Sequence, residues 1–331
     1  MTTLSVEGGG PLTSRLAEGL WQAALWSHRW RSNHALLATM GWLVLVVVAL
    51  TWLLLTWAGW VCFFGAFDGA IANSQSKAPA SLWDLIYFTG YTISTLGLGD
   101  FQPTAHVWEI ATAIASANGF LLVTLAIAYL LPVVSAVAQQ RQLAIYISSL
   151  GGTPDEILTH AWNGQNFGQL YQHLIAITPQ LALQGERHLA YPVLHYFHSA
   201  ERSRAIALSI AALDEALTLI NYGVVQDVQP DTGTVSPAHR ASTAYLKTLR
   251  SAYIAAAPSP PPPPPLHLLR LAGIPTVTDG EFHARVEQVA MRRQLLLSLV
   301  EQDGWDWGAI ASSKTTNRAA FLTHWEDEDQ P

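Results

Sequence analysis

The sequence predicts an all-α membrane protein: two transmembrane helices with a short re-entrant helix and a glycine loop between them, then a mostly helical cytoplasmic C-terminal domain. Three observations carry this. From Ser32 to Gln140 the only formal charges are Asp68, Lys77, Asp84, Asp100 and Glu109. Two uncharged apolar runs, Ser32 to Phe67 and Ile110 to Gln140, each suffice for one crossing, which takes about 20 residues. Between them lies "YFTGYTISTLGLGDFQPT" (Tyr87 to Thr104), polar and broken by glycines. Irregular backbone at membrane depth needs protein or a water-filled path around it.

Each element follows in order. Residues 1–10 are small and polar and are expected to be disordered. Leu12, Leu16, Leu20, Ala23 or Ala24, and Trp26 or Trp30 then recur at helical spacing. This stretch reads equally as an interfacial helix, with residues 1–34 forming a cytoplasmic segment, or as an extension of the first span. That span is expected at residues 41–64; it starts too far from Met1, and is too long, for a cleaved signal peptide. Arg15, Arg29 and Arg31 precede it and Arg141 follows the second span, whereas only Lys77 lies between. The basic residues therefore place both termini in the cytoplasm of a multi-pass protein of the cell (inner or plasma) membrane. Trp42, Trp57, Trp60 and Trp108 suit interfacial anchoring; Trp52 is too central for it.

Ser81 can cap a short helix over residues 81–94 whose first turn carries Asp84. It is too short to span and runs into residues 95–100. The second span, residues 108–138, completes a domain of residues 35–140; its helix continues to Leu150, where Gly151 and Gly152 stop it. Thr153, Pro154 and Glu156 open the next helix in a domain of residues 141–257. Ile206, Ile210, Leu213, Leu217 and Ile220 define a helix with one apolar stripe, ended at Gly223. "SPPPPPP" (Ser259 to Pro265) makes residues 258–265 an extended polyproline spacer. In residues 266–331, Thr278 and Glu281 open a helix reaching about Gln302, and the tail "HWEDEDQP" is expected to fray. No strand alternation is evident.

The chemistry concentrates in "TLGLGD". Gly97 and Gly99 permit backbone angles closed to other residues, so successive carbonyls can face one way. With about four chains around one axis, carbonyls of Thr95, Leu96, Gly97 and Leu98 line a tube able to replace the hydration shell of a monovalent cation. The side chains of Leu96 and Leu98 would then point outward and pack against the short helix. The carboxyl end of that helix adds partial negative charge.

Span, aromatic short helix, T-x-G-x-G-D loop and span resemble the two-transmembrane P-loop potassium channels of bacteria, over residues 35–140. The motif matches at Thr95, Gly97, Gly99 and Asp100, and departs at Leu96 (commonly Val) and Leu98 (commonly Tyr or Phe). The resemblance implies a homotetrameric channel with a selectivity filter of Thr95, Leu96, Gly97, Leu98 and Gly99. That filter would bind permeant K+, needing no other cofactor. It implies that Asp100 supports the filter by bonding to the pore helix, with Tyr87 as its partner and Phe88 behind the filter. Gly119 stands where relatives have a gating hinge, Pro132 further in can kink the helix, and Leu131, Ser135 and Ala138 are candidates to face the pore. Leu98 removes a bracing hydroxyl, so a weakly selective monovalent cation channel is an alternative.

In "ERHLAYPVLHYFHSAE", His188, His195 and His198 form a possible pH or metal sensor; His195 and His198 would share a helix face, and aromatic packing is the plainer reading. A non-conducting membrane sensor that binds a cytoplasmic partner is the remaining alternative. No G-x-G-x-x-G follows a strand, no span carries spaced arginines, and no catalytic constellation or nucleic-acid-binding basic patch is evident, so an enzyme is not expected. Adjacent Asp214 and Glu215 point different ways on a helix and read as solvated or paired. The single Cys62 excludes an intrachain disulfide.

Overall fold

A computed structural model describes residues 10–252 and 254–311. The expectations of disorder over residues 1–10 and of a frayed C-terminal tail lie outside these residues, except for Gly10, which stands at the N-terminus of α1. The first half runs α1 (Pro11–Arg31), α2 (His34–Gly65), β1 (Ile71–Asn73), α3 (Leu82–Ile93), β2 (Phe101–Pro103) and α4 (His106–Leu150). The chain divides into two compact units, one of residues 42–135 and one of the described residues on either side.

In the first unit, the most apolar stretches of α2 and α4 have mean hydropathies of 2.3 and 2.5, yet only 22% and 17% of them is buried. Apolar surface left bare on that scale is what a helix facing hydrocarbon presents. Both are long and apolar enough to cross a membrane. Between them α3 packs its buried face, Leu85, Phe88 and Tyr91, on Phe64, Ala111 and Ala115. β1 and β2 pair antiparallel, Ala72 opposite Gln102. Strands of three residues are too short to show alternation, which is why the sequence did not reveal them.

In the second unit α1 is a separate helix and not an extension of α2. Ser32 adopts a left-handed φ of 41° and its N–H closes on the His28 carbonyl, turning the chain before His34. One face of α1, including Ala17, Trp21, Ala24 and Leu25, is buried, and the Trp21 indole donates to the Gln302 carbonyl at 3.2 Å. The opposite face leaves Trp26 and Trp30 exposed.

After α4 come α5 (Pro154–Ala161), α6 (Leu170–Ala190), α7 (Ile206–Thr218), α8 (Thr232–Ala252), α9 (His267–Leu271), α10 (Asp279–Val286), α11 (Ala290–Gln302) and α12 (Gly308–Ala311). Thr153 caps α5 and Thr278 caps α10, each accepting an N–H from the glutamate three residues on. The expected single helix from Thr278 to Gln302 is broken by a 3-10 turn at Glu287–Val289.

α7 is the core of this unit and is buried on every side, not along one stripe. With its terminal π turn (Leu219–Gly223) it is the third helix long and apolar enough to cross a membrane, but 89% of it is already covered by the protein. Asp214 and Glu215 are therefore buried and paired, not solvated. Asp214 accepts from Ser242 Oγ at 2.8 Å and from Arg292, and Glu215 is bidentate to Arg293 at 2.7 and 3.1 Å. The same Arg293 guanidinium donates to the Pro261 and Pro262 carbonyls, both at 2.8 Å. The polyproline stretch is extended, but it is a strap docked on its own domain and not a free spacer. Proline has no N–H, so its carbonyl is the only main-chain group by which it can be held.

Candidate functional site

The loop after α3 is positioned from both ends of that helix. At its start, Ser81 and Asp84 form a reciprocal capping box, Asp84 accepting the Ser81 N–H at 2.9 Å. In its middle, the Trp57 indole donates to the Ile86 carbonyl at 3.0 Å. The same ring lies on Gly90, where a Cβ would come within 2.9 Å of it. Trp57 is thus a strut from α2 to α3, a role that its position in the sequence near a span end did not disclose. At the end of α3, Gly119 of α4 lies against Ile93. A Cβ there would approach the Ile93 carbonyl carbon to 2.7 Å and its Cα to 2.8 Å.

Beyond Ser94 the backbone alternates in handedness. Thr95 has φ of 60°, Gly97 of 60° and Gly99 of 82°, whereas Leu96 and Leu98 stay at negative φ. In an extended strand successive carbonyls point to opposite sides. A handedness that alternates with the same period of two cancels that reversal and turns them to one side. Thr95 is one of three described non-glycine residues at positive φ, a conformation uncommon outside glycine. Its N–H and that of Leu96 donate back to Thr92 and Tyr91 carbonyls at 3.0 and 2.8 Å, which holds it there.

The far end of the loop is tied down as well. The Tyr87 hydroxyl donates to Asp100 Oδ2 at 2.9 Å, and the Tyr91 hydroxyl to the Phe101 carbonyl at 2.8 Å. The Asp100 carbonyl accepts the Ser74 N–H at 2.9 Å, joining the loop to the end of β1. Phe88 is buried and meets Phe64 and Tyr91 edge-on. Residues 94–100 are all exposed in the single chain. Leu96 (66%) and Leu98 (50%) are largely bare in the single chain. In α4, Leu131, Ser135 and Ala138 are exposed, and Pro132 leaves the helix unbroken.

The three histidines singled out in the sequence do not form one cluster. His188 is buried in α6, with Nδ1 on the Gln184 carbonyl at 3.0 Å, and burial lowers it to about 4. His195 lies in a 3-10 turn (Pro192–Tyr196), lowered to about 3 by burial and the nearby His188. That turn ends before His198, so no helix face is shared. His198 instead meets His34 of α2, Nε2 to Nδ1 at 3.1 Å, with its own Nδ1 3.5 Å from Asp303. Among the described residues no group of three or more histidine, cysteine or carboxylate side chains could hold a metal ion. Partners from residues 28, 34 and 303 are too distant in sequence for any motif to have announced them.

Residues 39–136, which contain α3, the glycine loop and the apolar stretches of α2 and α4, match the ion channel family, so the protein carries an ion-channel domain in a membrane. The chain is also similar, at 36% identity over 308 residues, to the "Uncharacterized membrane protein YdjJ" of Bacillus subtilis (strain 168). That match covers 92% of this chain and 89% of the relative, and the chain belongs to the membrane-protein family that includes YdjJ. No solved structure matches it.

Proposed function

We propose that the protein is a homotetrameric potassium channel that conducts passively through a filter of Thr95, Leu96, Gly97, Leu98 and Gly99. The observation that carries this reading is the period-two alternation of positive φ at Thr95, Gly97 and Gly99 in an exposed loop braced at both ends. One such loop encloses nothing; several around an axis make rings of carbonyls, and the bare Leu96 and Leu98 side chains would find their cover in neighbouring chains. α2 and α4 serve as the two spans, with both termini cytoplasmic. α7 serves as a core helix, since its apolar surface is already covered and it carries two ion-paired carboxylates. α1, whose outer face bears Trp26 and Trp30 near Arg29, suits the lipid headgroup layer. The gating hinge lies in α4 at Gly119, which also meets Ile93, and at Pro132, whose ring deprives the Ala128 carbonyl of its helical donor.

Leu98 carries no hydroxyl, and the bracing rests on Tyr87 and Asp100; this favours weakly selective monovalent cation conduction as the second reading. Reversal potentials of the purified protein in mixed potassium and sodium decide between the two: equal permeability removes the selective version. In the same assay Gly97→Ala, placing a methyl group at a φ of 60°, is expected to abolish flux while the oligomer persists. Full selective flux in that variant would refute the filter assignment, and no flux from the parent at any voltage would refute conduction.

A further inference from the structure

Three segments far apart in the sequence bring ionisable groups together where α1 turns into α2. His28 lies at the end of α1 and His34 at the start of α2, their rings edge-on at 4.6 Å. His198 stacks on His34 at 5.2 Å and shares a single hydrogen bond with it, Nδ1 to Nε2 at 3.1 Å. The Trp305 ring stacks on His34 at 4.2 Å and lies 5.8 Å from His198, and Asp303 stands 3.5 Å from His198 Nδ1. That separation is longer than a normal hydrogen bond, burial holds the Asp303 carboxyl above the usual carboxylate range while His198 opposes this, and the Nδ1 atom of His28 is buried without a hydrogen-bond partner. His198 is 1% exposed. Beside it a small cavity is lined by Gln140, Arg141, Arg204 and Asp303. Asp306 also acts on His34, and Tyr245 feels the charge of Asp303.

We propose that His28, His34, His198 and Asp303 form a proton-binding site that latches the α1–α2 corner to the C-terminal segment and releases it in acid. The bond between the two imidazoles exists only while one facing nitrogen is free of a proton. A first proton strengthens the pair, because the imidazolium can draw Asp303 in and close the 3.5 Å gap. A second proton sets N–H against N–H across 3.1 Å. The bond is then lost and like charges face one another in a buried site. The consequence falls on α2: Phe197, next to His198, lies so close to Gly41 that a Cβ there would meet its ring at 2.6 Å. The latch therefore grips the first two turns of the helix that continues into the apolar stretch. As regulation it rests on the channel reading; as a proton-driven opening it does not.

The test is hydrogen–deuterium exchange of the full-length protein in lipid nanodiscs at pH 7.5 and 5.5, corrected for intrinsic exchange rates, with potassium flux measured in parallel. Segments 26–37, 196–201 and 300–307 are expected to exchange at least tenfold faster at pH 5.5, while α7 stays protected. His198→Gln and, as a second variant against misfolding, His34→Gln should each abolish the pH difference. Equal exchange of the parent at both pH values, or a pH difference that survives in both variants, overturns the proposal. An exchange response without any flux would leave the latch standing and remove conduction instead.

Discussion

Gly119→Ala separates two roles that a glycine in the middle of α4 can have. If the glycine is only a hinge, alanine stiffens the helix, and helix propensity alone would stabilise it by about 1 kcal/mol. The structure points the other way. The added methyl carbon would collide first with the Ile93 carbonyl oxygen, and would stand 2.7 Å from the carbonyl carbon and 2.8 Å from the Cα. Carbon atoms rest at about 3.5–4.0 Å, so the two carbon contacts alone require α3 and α4 to part by about 1 Å, and the oxygen contact requires more. Backbone cannot rotate out of the way as a flexible side chain can. Overpacking of this kind costs about 1–3 kcal/mol in each chain, which outweighs the propensity gain. The displaced atoms belong to Ile93, the last residue of α3, which lies inside the turn that Thr95 and Leu96 close by hydrogen-bonding back to Thr92 and Tyr91. The variant should therefore melt below the parent in detergent and lose flux or selectivity together. Gly59→Ala is the control: a Cβ there meets nothing within 4 Å, and that variant should melt no lower than the parent. A Gly119→Ala protein with parental or higher melting temperature and unchanged selective flux would refute the packing argument.

Two further expectations concern the second unit. His188 is lowered from 6.5 to about 4, so the unfolded chain takes up its proton first. The associated stability is complete above pH 6.5 and is lost as pH falls from there through 4, up to about 3 kcal/mol. His188→Gln should flatten the denaturant-unfolding free energy over that window; an unaltered pH slope would count against it. Arg293→Met should destabilise by about 3–5 kcal/mol, because it strands Glu215, whose ionisation burial already opposes, and frees the Pro261 and Pro262 carbonyls. Adding Glu215→Leu should recover much of that loss in the same melts, and no recovery would show that the ion pair is not the source.

What could be read without coordinates were the features that depend on local order along the chain. The absence of charge from Ser32 to Phe67 and from Ile110 to Gln140 dictates apolar helices whatever the tertiary arrangement, and the spacing of Ser81 and Asp84 dictates a cap. Glycines alternating at 97 and 99 dictate where backbone handedness can reverse. Other properties needed the packed chain, because they arise between residues with no fixed separation. The Trp57 strut and the Gly119 contact depend on two helices meeting α3 at particular heights. Arg293 converts a run of prolines into a strap only because Glu215 holds it beneath them. The histidines make the same point: spacing grouped His188, His195 and His198, whereas the fold joined His198 to His34 and Asp303. Periodicity shows which face of a helix is buried, but only the tertiary structure decides what that face is buried against, and hydrogen bonds and charge depend on that neighbour.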